Sequence, residues 1–312
     1  MGSISPRFSI IIATLNRKEM LLRALDSVYA QAFDVQIIVA DGGSTDGTLD
    51  AIQALPNITL LKGPDQGLYH AFNKGLAKTR GDIVGILNSD DLYEPGAFAV
   101  VEQAFSRNAT ADAVCGTATL SDGASTLEIY DDEASKRLTP RAALIGSCVL
   151  NARFFRRNAL ASIGPFDLQY SFVADRDFLA RCYEAHMTTV PIRERVYCYR
   201  HHSESLTFND DPERKLAIHV ELLRLARAWR RTDHASSEIK RMALLLEGRC
   251  VAKLAQAEIR QGRLAGGFRH LVRDNGRLSL TPSFAVIAGG ADWLLQCLAR
   301  PASLKQQSKP RQ

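Results

Sequence analysis

The sequence predicts an α/β domain, with a mostly parallel central sheet flanked by helices, followed by a helical C-terminal region. Three observations predict it. Short β-branched, apolar runs alternate with amphipathic segments through the first hundred residues. Polar residues gather where those apolar runs stop. From about Pro212 the strand-like runs give way to Leu-, Ala- and Arg-rich helical patterns.

Phe8 to Ala13 (FSIIIA) and Val35 to Ala40 (VQIIVA) are nearly continuous apolar runs, as expected of strands covered on both faces. Between them Leu21, Leu25 and Val28 recur at helical spacing. Ile58 to Leu61 reads as a third strand and Leu68 to Lys78 as a helix. Ile83 to Leu87 (IVGIL) reads as a fourth strand, stopping abruptly at Asn88-Ser89-Asp90-Asp91. A helix is expected to begin at Glu94-Pro95 and another over Phe178 to Tyr183. The expected organisation is the α/β domain over 1–210, helices over 211–302, broken at Gly262, Gly266-Gly267 and Thr281-Pro282, and a disordered tail over 303–312.

The 46% hydrophobic and 23% charged content is that of a globular protein, with room for one large domain and an appendage. Cys115, Cys148, Cys182, Cys198, Cys250 and Cys297 form no CxxC pair, and no signal peptide precedes the first strand, so a reducing cytoplasm is expected. The longest apolar stretch, Phe284 to Leu298, is interrupted by Asp292 and falls short of the roughly 18 residues that span a bilayer. Net charge is +5, but Arg241 to Gln312 holds 12 Lys/Arg against 4 Asp/Glu, so that segment carries +8 and the rest −3. Such a segment is either a solvated helical face or a contact for an anionic membrane surface.

Ligands of open α/β sheets bind beyond the carboxyl ends of the strands. Three such ends carry polar groups here: Thr14-Leu15-Asn16, Asp41 to Thr48 (DGGSTDGT), and Asp90-Asp91. They should share one cleft. Two adjacent carboxylates after a buried strand need a compensating charge, and hard divalent cations supply it while bridging phosphates. A Mg²⁺ or Mn²⁺ site is one reading of Asp90-Asp91; a turn or helix cap is the other. The Asp41 loop offers an acidic acceptor, flexible glycines and hydroxyls suited to a nucleotide, or else a plain turn capped by Asp46 or Thr48. Neither a GxxxxGK[ST] loop nor a GxGxxG fingerprint occurs, which disfavours ATP hydrolysis and hydride transfer.

Four strings, DGGSTDGT (41–48), PDQGLYHAFNKGLAKTRGDIVGILNSDD (64–91), FFRRNALASIGPFD (154–167) and ADRDFLARC (174–182), resemble the family 2 glycosyltransferases of GT-A fold, in family order and spacing. The resemblance runs from Phe8 to about Thr207. It implies an inverting enzyme that moves one sugar from a nucleotide-diphosphate sugar to a hydroxyl of a glycan or lipid-linked glycan. Asp41 is then expected on the nucleotide base, with Thr14 and Asn16 beside it. Asp91 is the expected ligand of Mg²⁺ or Mn²⁺, with Asp90 nearer the ribose or sugar. Asp65, Asn73, Lys74 and Arg80 belong to the segment that closes over the donor.

Asp175 matches the family's general base, with Asp177 as the alternative; residues two apart on a helix face different sides, so one of them should face the cleft. Many relatives carry Glu where Ala174 stands, which bears on that neighbour's role rather than on the base, and His-Gln where Leu150-Asn151 stands, so the acceptor side is expected to differ. His202, in Tyr199-Arg200-His201-His202, matches a segment that reaches the metal or diphosphate. Arg156 and Arg157 face either phosphate or solvent.

A pyrophosphorylase would carry a Gly-rich basic loop where Ala13-Thr14-Leu15-Asn16-Arg17 stands, and a processive synthase would carry QxxRW and membrane helices. The remaining alternative is a catalytically inactive nucleotide-sugar-binding scaffold. Nucleic acid is not an expected partner. Location is expected to be cytoplasmic, with peripheral contact to the inner membrane face through the basic segment.

Overall fold

The computed structural model describes residues 6–123, 125–129, 132–147, 149–202 and 211–260. The chain divides into two compact units, Met1–Asp210 and Asp211–Gln312.

In the first unit the chain runs β1 (Phe8–Thr14), α1 (Lys18–Tyr29), β2 (Val35–Asp41), α2 (Thr48–Ile52), β3 (Ile58–Lys62), α3 (Leu68–Leu76), β4 (Ile83–Asn88), β5 (Leu92–Tyr93) and α4 (Ala97–Arg107). It continues β6 (Ala113–Ser121), β7 (Thr126–Ile129), α5 (Glu133–Lys136), α6 (Pro140–Leu144), β8 (Arg153–Arg156), α7 (Arg157–Ile163), α8 (Ala174–Glu184) and β9 (Thr189–Arg200). The sheet order is β3-β2-β1-β4-β8-β6-β9-β5, with β7 on β6. The four strands read from sequence pair in parallel, whereas β8 is antiparallel to both β4 and β6. Thr14 pairs with Asp41 and Ala13 with Asn88, so three strand ends lie level along one edge.

Phe154 and Phe155 are consecutive on β8 and therefore face opposite sides of the sheet. On one side Phe154 joins Phe8, Tyr93 and Phe98, with the Phe8 and Phe98 rings stacked at 4.5 Å. On the other, Phe155 meets Phe178, which packs 4.5 Å from Phe166. Each fully buried ring contributes roughly 1.5–3 kcal/mol by leaving water. Leu21, Ala24, Leu25 and Val28 turn α1 onto the first of these layers. Gly75 lets α3 lie directly on β1, because a Cβ there would meet Ile11 Cγ2 at 2.3 Å.

The helix expected at Glu94-Pro95 starts later. Leu92 and Tyr93 are drawn into the sheet by pairing with Cys198 and Tyr197, and α4 begins at Ala97 behind Gly96 (φ 78°). Asp90-Asp91 is therefore not a helix cap. That pairing spans more than a hundred residues, and no local pattern announces it.

The second unit contains α9 (Pro212–Arg231) and α10 (Ser237–Arg260). Asp211 caps α9 by accepting the Glu213 N–H at 3.0 Å. Leu225, Ala226 and Trp229 of α9 and Ile239, Ala243, Leu246 and Cys250 of α10 are buried. Arg227 and Arg230 both pair with Glu247. No helix among the described residues is long and apolar enough to cross a membrane. Most of the basic segment, the glycine breaks and the 303–312 tail lie outside the described residues.

Candidate active site

A cleft of about 260 Å³ opens beyond the ends of β1 and β4, lined among others by Thr14, Leu15, Arg17, Asp65, Leu68 and the run Asn88 to Asp91. Asp41 stands on its β2 side. Asp41 is wholly buried, and its Oδ1 accepts the N–H groups of Gly43 and Ser44 at 2.9 and 2.8 Å. Its Oδ2 and the neighbouring Thr14 Oγ1 are buried with no hydrogen-bond partner among the described residues. Orphaned buried oxygens are costly, and a ligand donor or water is the usual remedy.

Asn16, at φ 52°, ties the first two loops together: its N–H donates to Ser44 Oγ at 2.8 Å and its Oδ1 accepts the Thr45 N–H at 2.8 Å. Asp46 does the same for the helices behind, accepting from the Lys18 and Thr48 N–H groups at 3.0 and 3.1 Å. These bonds and the Thr48 hydroxyl hold its carboxyl below the usual range, the hydroxyl foremost. Asp65 accepts the Gly67 N–H at 3.0 Å and lies so close to Gly42 that a Cβ there would sit 2.9 Å from its Oδ2.

The carboxylate pair is held differently. Asp91 Oδ2 accepts from Asn88 Nδ2 at 2.9 Å and from the buried Tyr197 hydroxyl at 2.8 Å, while Oδ1 accepts the Arg200 N–H at 2.9 Å. Burial, and next the charge of Asp90, push its carboxyl up to about 7 against those three bonds. Asp90 Oδ2 pairs with the Arg17 guanidinium and lies 3.2 Å from His202 Nε2. His202 Nδ1 is buried with no partner among the described residues.

These groups fit a divalent cation. Asp91 offers hard oxygen ligands in a setting that disfavours uncompensated negative charge, and His202 stands one carboxylate away. Among the described residues no cluster of three or more His, Cys, Asp or Glu side chains could hold a metal alone, so further ligands would have to come from donor phosphates or water.

Asp175 lies in the first turn of α8, half-buried, its Oδ1 accepting the Arg176 N–H at 2.8 Å. It is not among the residues lining the cleft. The segment before it is tied to α3, the helix that supplies Leu68 to the cleft: the Tyr69 hydroxyl donates to Phe172 O at 3.2 Å. Asp177 is buried and bonded to Arg181 at 2.9 Å; that guanidinium also donates to Ile163 O and Pro165 O. Asp177 is thus engaged within the fold, and neither carboxylate of the pair is among the residues lining the cleft.

Three expected donor contacts have bonds of their own within the protein. Asn73 spends both ends of its amide on the Phe166 backbone, and Lys74 Nζ donates to Gly63 O. Arg80 is exposed, and its N–H bonds Ser9 and Gln36 at the amino end of the sheet, five residues along β1 from Thr14. That is roughly 16 Å from the cleft edge at the rise of an extended strand. Arg156 donates to Ala111 O and Ala109 O and so braces the loop before β6. Arg17, Tyr197 and Asn88 are the site residues that sequence reasoning passed over; Arg17 follows Asn16 directly, and its position at a strand end was the available signal.

A mixed sheet of this order, with its cleft at the ends of the parallel strands and a carboxylate pair at the end of β4, is the GT-A type of fold expected from the sequence. The chain belongs to glycosyl transferase family 2, whose sequence model matches residues 9–164, half of its length. Asp175 and His202 lie beyond that match. A PGL/p-HBAD biosynthesis glycosyltransferase of Mycobacterium bovis (BCG) is 33% identical over 192 residues, covering 57% of this chain and 70% of that protein. Staphylococcus aureus TarS 1–349 superposes with a TM-score of 0.57 at 18% identity, over 91% of this chain and 78% of that one. A mannosyltransferase of Pyrobaculum calidifontis, solved with GDP-Man and Mn²⁺, has the same score and identity over 94% and 81%.

Proposed function

We propose that this glycosyltransferase moves a single sugar, with inversion, from a nucleotide-diphosphate sugar to a hydroxyl of a glycan or lipid-linked acceptor. The observation that carries the reading is the cleft itself. Two orphaned buried oxygens, Thr14 Oγ1 and Asp41 Oδ2, stand on one side of it, and the Asp90-Asp91 pair stands on the other. Such a cleft offers acceptors to a nucleotide base at one end and a compensated-charge site to a diphosphate at the other.

In this reading Thr14 and Asp41 bind the base, Asn16 keeps their loops closed, and Asp65 and Asp90 face the ribose or sugar. Asp91 and His202 would hold Mg²⁺ or Mn²⁺, whose charge, when bound, stabilises the departing diphosphate. Asp175 takes the proton from the acceptor hydroxyl as that oxygen attacks the anomeric carbon. The bond from that carbon to the diphosphate oxygen breaks, and the nucleoside diphosphate leaves with the electron pair. The products are the inverted glycoside, the nucleoside diphosphate and a protonated Asp175. The neighbour solved with GDP-Man and Mn²⁺ and TarS solved with UDP-GlcNAc agree with a donor of this class. Peripheral contact of the basic C-terminal segment with an anionic membrane belongs to the same reading and would bring the enzyme to a lipid-linked acceptor.

The test is a panel of UDP-, GDP- and dTDP-sugars with Mn²⁺, scored by thermal stabilisation and nucleoside diphosphate release, with the product anomer assigned by NMR. One donor is expected to stand out and to give the inverted anomer. Retained configuration, or no response across the panel, would refute the reading.

A further inference from the structure

We propose that Arg17 bridges Asp90 and the donor diphosphate, bringing positive charge to the leaving group from the protein itself. This rests on the reading of the cleft as a nucleotide-diphosphate sugar site.

Three carboxylates, Asp65, Asp90 and Asp91, line the cleft, and Arg17 is the only Lys or Arg among its described lining residues. A diphosphate entering such a wall meets like charge at short range. One divalent cation at Asp91 offsets part of it, and the remainder needs a second positive group. Arg17 is placed for that. It follows directly on the left-handed Asn16, where the chain turns away from β1, and its carbonyl accepts the Leu21 N–H at 2.8 Å to open α1. Its backbone is therefore fixed at the cleft rim. The side chain, 20% exposed, is aimed across the rim by its pairing with Asp90. Asp90 in turn is steadied by His202 Nε2 at 3.2 Å.

The residue type matters as well as the place. A guanidinium carries five N–H donors in a planar fork, so it can hold a carboxylate with one edge and a phosphate oxygen with another. A lysine is a single point charge and would have to leave one partner to serve the second. Asp90 thus positions Arg17 in addition to the sugar-side role proposed above, and Arg17 is a diphosphate-contacting residue.

The full chain tests this by calorimetry in EDTA, with uridine, UMP and UDP and with guanosine, GMP and GDP. In the wild type one series is expected to bind more tightly as phosphates are added. In Arg17→Gln the nucleoside should bind as before, whereas the diphosphate should weaken roughly ten- to a hundredfold, the range for a lost charge-assisted hydrogen bond. Arg17→Lys should fall between, and it carries the test alone if the glutamine variant does not fold. Equal weakening of nucleoside and diphosphate would make Arg17 a fold-holding residue only and overturn the proposal. So would unchanged diphosphate binding in either variant. A wild type that binds neither of these diphosphates, nor dTDP in the same titration, would instead sink the functional reading beneath it.

Discussion

The two sides of the cleft hold their carboxylates in different ways. Asp41 is fixed by its own loop, through the N–H groups of residues two and three positions on, and one of its buried oxygens has no partner among the described residues. Asp91 is fixed by Tyr197 and Arg200, more than a hundred residues away, and both its oxygens are occupied. The first side is a local turn closed by its own backbone N–H groups. The second is a tertiary assembly in which burial works against the charge. In the proposed function the first side would recognise the base and the second would manage charge, so each should be breakable without the other.

The largest effect is expected outside both sides. Asp175→Asn should lower kcat by roughly 10²–10⁴, the scale of a lost general base, while donor binding by calorimetry stays as in the wild type. Undiminished turnover would return the base to another carboxylate, and Asp177 can be tested next. On the base side, Asp41→Asn should weaken donor binding about ten- to a hundredfold through the lost acceptor, measured as KM, with kcat at saturating donor little changed. A fall in kcat alone would show that the two sides are coupled.

The smallest effect concerns pH. Burial, and next the charge of Asp90, push the Asp91 carboxyl up to about 7 from an ordinary value of 3.8, so between those values the folded chain binds more protons than the unfolded one. Its contribution to stability is present below about pH 4 and is lost as pH rises through 7. The Tm of metal-free protein should therefore carry a downward component from pH 5 to pH 8, absent from Asp91→Asn. Equal slopes for the two proteins would place the charge cost elsewhere.

Local chemistry explains what was legible in the sequence. Continuous β-branched runs announced β1, β2 and β4, and Thr14, Asp41 and Asp91 could be picked out because they end those runs. The polar loop at 41–48 is closed by side chains within it and by Asn16, so its string carries its own structure. The other half of the sheet is built from β6, β8 and β9, whose strands pair across long separations and are partly charged, as in Arg193-Glu194-Arg195. Nothing local says that Tyr197 would reach Asp91 or that β5 would join β9. Asn73 and Lys74 misled for a related reason: a helix face near the site looks the same whether its polar groups meet a ligand or a backbone carbonyl. Arg80 misled because proximity in sequence to the Asp90-Asp91 strand placed it at that strand's far end.

The most direct measurement compares the wild type and Asp91→Ala in calorimetric titrations with the preferred nucleotide sugar, with and without Mn²⁺. The expected result is that Mn²⁺ tightens donor binding at least tenfold in the wild type and has no effect in the variant, which still binds the free nucleoside. Equal Mn²⁺ enhancement in both proteins, or no enhancement in the wild type, would contradict the assignment of Asp91 as the metal ligand and the division of labour built on it.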